Sequence, residues 1–349
     1  MTFGGIASIW VARCLGPQQL GVSGMVQSIV SQATLLLGAA FSTVLIRDFI
    51  YDRSDEMRAE LVYAYMAFRL LGACAIGLVA CAIMIAGILP HDYQISGWLF
   101  IPLLFFGVLQ PAWVFQASEK QHFQSMIYVL QSFLTGVAYV SILRPGAPAT
   151  AELTIITCIT GSLTIVYGLS LHRLIPTSRS LLNLRSLAVI WPIIRRSRWL
   201  YVSSLAIYVY SSMEQPMVGW LASSTELGKY RTAVLSVNAA NSFFLIIPNV
   251  LYPRFIEWQK RGLDLLWERQ RRLAFAFACG GLAAVVLGAF LVPILYPLVF
   301  GNAFAGAAVP CVILFAAKVV VIVTGVFYWG LMTDDKYDKP ISLALIGIG

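Results

Sequence analysis

Three ionisable side chains lie deep within apolar stretches of the sequence, where a charge is costly. Glu214 and Lys318 each lie about 15 residues into such a stretch, and Arg69 lies about nine residues into another. Within a membrane, ionisable residues of this kind usually face the protein interior or a water-filled path. The three residues are therefore candidates for a path that carries charged cargo.

Each of the three also has a structural interpretation. Glu214 and Lys318 are predicted at similar depths, so the carboxylate can serve as a partner for the ammonium group or for a backbone group. Arg69 lies towards the end of its stretch and can extend its charged head to the interface while its stem stays in the apolar layer. The residue types alone leave both interpretations open.

Uncharged polar residues form stripes at helical spacing along three of the apolar stretches. Facing lipid, such a stripe would be penalised, so each must face protein or water. Hydrogen bonding between helices would explain one stripe, but three stripes, two of them in repeated positions, favour a hydrated cavity. The stripes consist of Ser23, Gln27, Ser31 and Thr34; of Asn238, Asn241, Ser242 and Asn249; and of Gln124, Tyr128, Gln131, Thr135 and Tyr139.

Ten apolar stretches must position these side chains. The composition is 59% hydrophobic and 11% charged, against about 25% charged in a soluble domain. About 20 apolar residues suffice for a helix to cross a membrane. The sequence therefore predicts an all-α, polytopic membrane helical bundle with about ten crossings. The stretches are 1–14, 20–46, 61–89, 95–117, 123–143, 151–171, 199–222, 233–252, 273–299 and 303–332, and an eleventh begins at Ile341.

The basic residues are concentrated on one side of the predicted membrane. With the loops between stretches numbered in order, 18 of the 24 lysines and arginines lie in even-numbered loops, above all in 173–198 and 254–272. Such a bias sets orientation, so the even-numbered loops and the N-terminus are predicted to be cytoplasmic. We expect the net charge of +8 to meet anionic phospholipids at these loops rather than nucleic acid.

An internal repeat relates the two halves of the chain. At an offset of 207 residues, Leu-Gly at 20–21 falls on Leu-Gly at 227–228, and Arg47 falls on Arg254. In each copy the Leu-Gly pair opens a predicted membrane helix that closes with the arginine. Six crossings separate the copies, so both have the same orientation, and a substrate path is predicted between them.

The repeat predicts two parallel lobes of about six helices each. Residues 1–172 form the N-terminal lobe, residues 173–198 a cytoplasmic amphipathic linker, and residues 199–349 the C-terminal lobe. Compared with its counterpart, the first helix lacks a turn or two, and Gly349 falls inside the counterpart of the fifth helix. We therefore expect the chain to be truncated at both ends.

The cysteines and histidines give no indication of a metal or redox centre. The six cysteines include no CxxC pair, and the three histidines fall at the ends of different stretches. Buried apolar cysteines and interfacial histidines account for this distribution. No metal site and no cofactor are predicted.

Four short motifs are distributed along the chain. They are ARCLGP at 12–17 followed by Leu20-Gly21, FSTVLIRD at 41–48, ELGKY at 226–230 and VFGNAF at 299–304. Their order and spacing resemble the polysaccharide transporter family, the O-antigen and lipid-linked oligosaccharide flippases. That family belongs to the multidrug/oligosaccharidyl-lipid/polysaccharide exporter superfamily.

The resemblance implies a two-lobed transporter of twelve to fourteen helices in the bacterial inner membrane. Its substrate would be an undecaprenyl-diphosphate-linked glycan, moved to the outer leaflet by alternating access. The first, second, seventh and eighth helices would line a cationic central cavity. Glu214 would couple transport to a proton or a sodium ion. The expected substrate-binding residues are Lys318, Arg69, Gln27, Ser31, Asn238 and Asn241.

Two other functions fit parts of the sequence. An ion-coupled exporter of drugs or metabolites from the same superfamily would keep the architecture with different cargo. An integral-membrane glycan polymerase or ligase would need catalytic groups on a substantial outer loop. The outer loops predicted here are short, with few acids and no histidine cluster, so we expect a transporter and not an enzyme.

Overall fold

The computed structural model describes most of the chain, and every regular element among the described residues is helical. This confirms the all-α class predicted from the sequence. The described residues are 2–38, 44–46, 48–50, 54–174, 190–195, 198, 201–202, 205, 212–244 and 246–331.

The described helices, in chain order, are divided between the two halves of the chain. The first half contains α1 (Thr2–Leu36), α2 (Asp55–Ile85), α3 (His91–Gly97), α4 (Phe100–Val108), α5 (Ala112–Ala117), α6 (Gln121–Ile142) and α7 (Ala149–Leu174). The second half contains α8 (Glu214–Leu221), α9 (Ser224–Phe244), α10 (Ile246–Arg261), α11 (Leu263–Phe300), a 3₁₀ segment (Asn302–Ala307) and α12 (Ala308–Leu331).

Six of the described helical segments are long and apolar enough to cross a membrane, which makes this a multi-pass membrane protein. Side chains on α11 face outwards accordingly, with Phe275, Phe290 and Ile294 each at least 70% exposed. Such large apolar surfaces are rare on soluble proteins and are expected where helices contact lipid. The six segments are Glu56–Ile85, Asp92–Ala117, Gln121–Ile142, Ala149–Arg173, Asp264–Phe300 and Asn302–Phe327.

Helices α1 and α9 are not among those six, although the sequence predicts a crossing at each. Both carry a polar stripe, and α9 also carries Glu226, Lys229 and Arg231. These polar side chains lower the mean hydropathy of the two helices. Their composition fits helices that are surrounded by protein and water rather than by lipid.

Glycine and proline interrupt the helices at two places in the first half of the chain. Gly16 has φ of 72° and ψ of 172°, a conformation open essentially to glycine alone. Pro17, which follows it, has no amide hydrogen for the helix. Helix α1 therefore consists of two helical parts that meet at Gly16, between the predicted stretches 1–14 and 20–46. The stretch 95–117 is divided among α3, α4 and α5.

The N-terminal half of α1 is buried against both halves of the chain. Val11 belongs to the same buried cluster as Phe304, which lies between α11 and α12. Arg13 strengthens this contact, because its guanidinium donates hydrogen bonds to the carbonyl groups of Leu298 and Val299 at the end of α11. The second half of α1 packs against α2 and α4. Helix α1 is thus the element that joins the two halves.

The predicted linker 173–198 lies largely outside the described residues. Its residues 190–195 are helical, and Ile190 and Ile193 belong to the same buried cluster as Trp113. The division into two lobes and a linker therefore stays a prediction. Arg47 of the repeat, half of the motif at 41–48 and the predicted eleventh stretch also lie outside the described residues.

Candidate functional site

Helices α1 and α9 meet at a pair of glycines, which we call the Gly21–Gly228 crossing. A Cβ atom on Gly21 would lie 2.9 Å from the amide nitrogen of Gly228 and 2.8 Å from the carbonyl carbon of Ser224. A Cβ atom on Gly228 would lie 3.0 Å from the amide nitrogen of Gly21 and 2.7 Å from the carbonyl carbon of Pro17. Neither position has room for a side chain. Small residues allow membrane helices this close an approach.

The contacts at the crossing are reciprocal. Gly21 meets Ser224 and Gly228 meets Pro17, and each of these pairs is related to the other by the repeat offset of 207 residues. Such reciprocity is expected where two copies of a parallel repeat meet at their symmetry axis. The crossing therefore agrees with the repeat that the sequence predicts.

A polar cavity of about 370 Å³ lies between α1 and α9. Its lining residues on α1 and α9 all follow the two glycines in sequence, so the helices touch at the crossing and leave space beyond it. Residues from α8 and α12 complete the walls. The cavity is lined by Gly24, Gln27, Ser28, Ser31, Ser212, Glu214, Gln215, Arg231, Val234, Leu235, Val237, Asn238, Leu314 and Lys318.

The structure brings most of the predicted site residues together at this cavity. Gln27, Ser31, Glu214, Asn238 and Lys318 all line it. Asn241 lies three residues beyond Asn238 on α9 and is not a lining residue. The side chains of Ser242 and Asn249, from the same stripe, lie outside the described part of the chain.

The third predicted stripe, on α6, does not reach the cavity. Tyr128 is 47% exposed on the outer surface and accepts a hydrogen bond from Gln124. Tyr139 is buried in the cluster around the N-terminal half of α1. A hydrogen bond within α6 and burial against α1 account for these residues of the stripe without a cavity.

Arg231 forms a buried network between the two halves of the chain at the crossing end of the cavity. Its guanidinium lies 3.1 Å from the carboxylate of Glu152, which is 2% exposed and lies in the first turn of α7. It also donates hydrogen bonds to the Ser23 hydroxyl (2.7 Å), the Gln27 amide oxygen (3.1 Å) and the Leu20 carbonyl (3.0 Å).

The carboxylate of Glu152 is fully engaged as well. Besides Arg231 it accepts hydrogen bonds from the Ser23 hydroxyl and from the Gln27 amide nitrogen. A buried ion pair is tolerated when its remaining hydrogen-bonding groups find partners in this way. The ion pair links α7 to α9. Ser23 and Gln27 on α1 form hydrogen bonds with both members of the pair.

The sequence-based prediction did not include Arg231 or Glu152. Both lie at the margins of apolar stretches, and Arg231 falls within a predicted outer loop, where a basic residue is unremarkable. One signal pointed to it. Arg231 lies seven residues before Asn238, two helical turns away, so it shares the face of the polar stripe.

Glu214 and Lys318 line the cavity without forming an ion pair with each other. Glu214 begins α8, and its side chain shares a hydrogen bond with the Tyr230 hydroxyl. Among the described residues, Lys318 on α12 has no ion-pair partner. The predicted alternative, in which Glu214 is the structural partner of Lys318, is therefore not what the structure shows.

Arg69 lies outside the cavity and packs within the first half of the chain. It is 7% exposed, and its guanidinium donates hydrogen bonds to the carbonyl groups of Gln110 and Gly107 (3.3 and 3.5 Å). It also lies 5.6 Å from the centre of the Tyr65 ring. These contacts satisfy carbonyl groups where α4 ends, so the predicted role in substrate binding does not match its position.

We expect Arg69→Ala to destabilise the protein without changing what the cavity binds. The substitution leaves carbonyl groups near the end of α4 without a donor, and charged hydrogen bonds contribute about 1.5–3 kcal/mol each. In detergent, the temperature at which half of the protein aggregates should fall by several degrees. An unchanged aggregation temperature together with weaker ligand binding would show instead that Arg69 takes part in substrate binding.

Comparison with known proteins relates the chain to polysaccharide export. The chain is 21% identical to a protein of Escherichia coli (strain K12) described as "Putative O-antigen transporter", over 97% of this chain and 81% of that protein. No solved structure matches. The model of the family described as "Polysaccharide biosynthesis protein" matches residues 1–259. With about three quarters of its length matched, the chain belongs to that polysaccharide biosynthesis family.

Proposed function

We propose that this protein is a flippase that moves an undecaprenyl-diphosphate-linked oligosaccharide from the cytoplasmic to the outer leaflet of the bacterial inner membrane. The observation that carries the proposal is the polar cavity, with Arg231 and Lys318 in its wall, between the crossing helices of a polysaccharide biosynthesis family member. No covalent chemistry is required, since the glycan is moved and not altered.

The positive charges of Lys318 and Arg231 reduce the free-energy cost of moving a diphosphate through the membrane. An unpaired diphosphate in hydrocarbon would cost tens of kcal/mol by Born estimates. In a hydrated cavity the ammonium group of Lys318 and the guanidinium group of Arg231 offset part of that cost. Gln27, Ser31 and Asn238 offer hydrogen bonds to sugar hydroxyls. The apolar prenyl chain can stay in the lipid beside the cavity.

The proposed orientation places the Gly21–Gly228 crossing towards the outer leaflet. The concentration of basic residues in even-numbered loops supports this orientation, because it favours a cytoplasmic N-terminus. The same loops would bind anionic phospholipids. With the outer end closed, the cavity belongs to the cytoplasm-facing half of an alternating-access cycle, in which the second half requires the crossing to open.

We expect Glu214→Gln to uncouple transport from its driving ion. A carboxylate in the wall of a transport path can bind a proton or a sodium ion, whereas the amide of the same shape can do neither. In proteoliposomes, an imposed proton or sodium gradient should accelerate the native protein several-fold and leave the variant unaffected. Equal acceleration of both proteins would remove Glu214 from the coupling role.

The function is tested in the source cell with this gene deleted. Build-up of diphosphate-linked glycan on the cytoplasmic leaflet, with loss of surface polysaccharide and rescue by this chain, is the expected result. No build-up would contradict glycan cargo and favour the exporter of drugs or metabolites. Build-up of unpolymerised glycan on the outer leaflet would favour the polymerase or ligase.

A further inference from the structure

We propose that Arg231 has two alternative partners, Glu152 in the closed protein and the anionic group of the substrate during transport. In the closed protein the Arg231–Glu152 pair locks the outer end of the cavity. When a diphosphate enters, the guanidinium of Arg231 changes partner and releases the lock. The choice of diphosphate as the anion rests on the proposed function, whereas the lock itself does not.

The position of the pair is the first support for a lock. Glu152 belongs to the first half of the chain and Arg231 to the second, and both lie beside the Gly21–Gly228 crossing. No movement that separates α1 and α7 from α9 at this end can keep all the hydrogen bonds of the network. Removing one partner of a buried ion pair leaves an uncompensated charge, so the pair holds the closed arrangement strongly.

The second support is that Arg231 is within reach of a ligand. Its side chain is 12% exposed, against 2% for Glu152, and it lines the polar cavity. A guanidinium has five N–H donors, and the network engages the two terminal nitrogens of Arg231 with four acceptors. The fifth donor, at Nε, has no partner within the described part of the chain and remains for a ligand in the cavity.

The third support is chemical. Arginine binds carboxylate and phosphate oxygens with the same planar fork, so a diphosphate can replace the Glu152 carboxylate at the same donors. A neutral sugar or a cationic drug cannot make this replacement. An anionic ligand therefore has what a conformational change requires, namely a higher affinity for the state in which Arg231 has left Glu152.

The lock is tested by the access of an impermeant maleimide to the cavity from the outer face of intact cells. Ser28 lines the cavity beyond the network, so Ser28→Cys, in a chain whose six native cysteines are replaced by alanine, reports opening. Glu152→Gln keeps the shape of the side chain and removes its charge. It should raise the labelling rate at least tenfold.

Two further variants separate the lock from a folding defect. The double variant Glu152→Arg with Arg231→Glu restores an ion pair and should return labelling to the native rate. Glu226→Gln removes the exposed carboxylate paired with Lys229 at the same end of α9, and it should leave the rate unchanged. A Glu152→Gln rate within twofold of native, or a double variant that labels as fast as the single one, would overturn the lock.

The exchange of partners is tested with inorganic pyrophosphate on the purified protein. Glu152→Gln should bind pyrophosphate several-fold more tightly than the native protein, because the competing carboxylate charge is gone. Arg231→Gln should bind it at least tenfold more weakly. Affinities equal to native in both variants would overturn the exchange. If both effects appear in a protein whose deletion causes no glycan build-up, the exchange stands and the proposed glycan cargo fails.

Discussion

Replacing Gly21 by alanine is expected to prevent the two halves of this protein from closing against each other. The added Cβ atom would lie on the carbonyl group of Ser224 and 2.9 Å from the amide nitrogen of Gly228. Both neighbours are backbone atoms, so no side chain can rotate away. Overpacking a core costs about 1–3 kcal/mol when side chains adjust, and we expect the upper end of this range or more here.

The variant should therefore favour a protein that is open at the crossing. Two kilocalories correspond to about a thirtyfold shift in a two-state equilibrium. Outer labelling of Ser28→Cys should rise, and rescue of surface polysaccharide in the deletion strain should be lost. Gly228→Ala should behave in the same way, because its Cβ atom meets Pro17 as that of Gly21 meets Ser224.

Two sets of control variants test whether the effect of Gly21→Ala comes from the close contact at the crossing. Gly168 on α7 and Gly288 on α11 are helical glycines whose added Cβ would meet nothing within 4 Å, so Gly168→Ala and Gly288→Ala should be neutral or slightly stabilising. The double variant at the crossing should cost less than the sum of the singles, since one separation relieves both clashes. Native labelling and native transport in Gly21→Ala would show that the crossing is not a tight contact.

The glycine pair also shows how far the sequence alone could lead. The repeat offset of 207 residues pairs Gly21 with Gly228 in the sequence. The offset did not predict that the two glycines touch. That contact depends on the crossing of α1 and α9, which is set by packing across the whole bundle rather than by local sequence.

Polarity and charge each predicted part of the cavity. Gln27, Ser31 and Asn238 lie where the stripes predicted, because a polar residue in a membrane helix has few alternatives to a protein or water contact. Arg69 was as unusual in the sequence as Lys318, yet its partners are the carbonyl groups of a broken helix nearby. The break at Pro111 supplied those carbonyls, and sequence position alone did not show which side chain would reach them.

Replacing Lys318 by alanine is expected to abolish transport of a diphosphate-linked glycan while the protein still folds and inserts. Among the described residues Lys318 has no ion-pair partner, and its side chain lines the cavity. An alanine at this depth of a membrane-crossing helix carries no charge to bury, so it does not impair folding or insertion. The ammonium group therefore contributes to what the cavity binds rather than to the bundle.

The size of the effect follows from the loss of one charged contact to phosphate. Such hydrogen bonds are worth about 1.5–3 kcal/mol, which is roughly a 10- to 150-fold loss in affinity. In the deletion strain, Lys318→Ala should restore little surface polysaccharide, and the glycan lipid should accumulate on the cytoplasmic leaflet. Lys318→Arg keeps the charge and should retain part of the transport.

The matched control is Lys229→Ala, near the start of α9. Lys229 is also a lysine of the second half, but it pairs with the exposed Glu226 at 2.7 Å, and exposed pairs contribute little to stability. Full transport in this variant and loss in Lys318→Ala would assign the charge requirement to the cavity. Full transport in both would mean that Lys318 does not meet the diphosphate, and Arg231 alone would then have to neutralise it. Equal loss of organic-cation export in Lys318→Ala would contradict an anionic cargo altogether, because removing a positive charge cannot weaken the binding of a cation by Coulomb attraction.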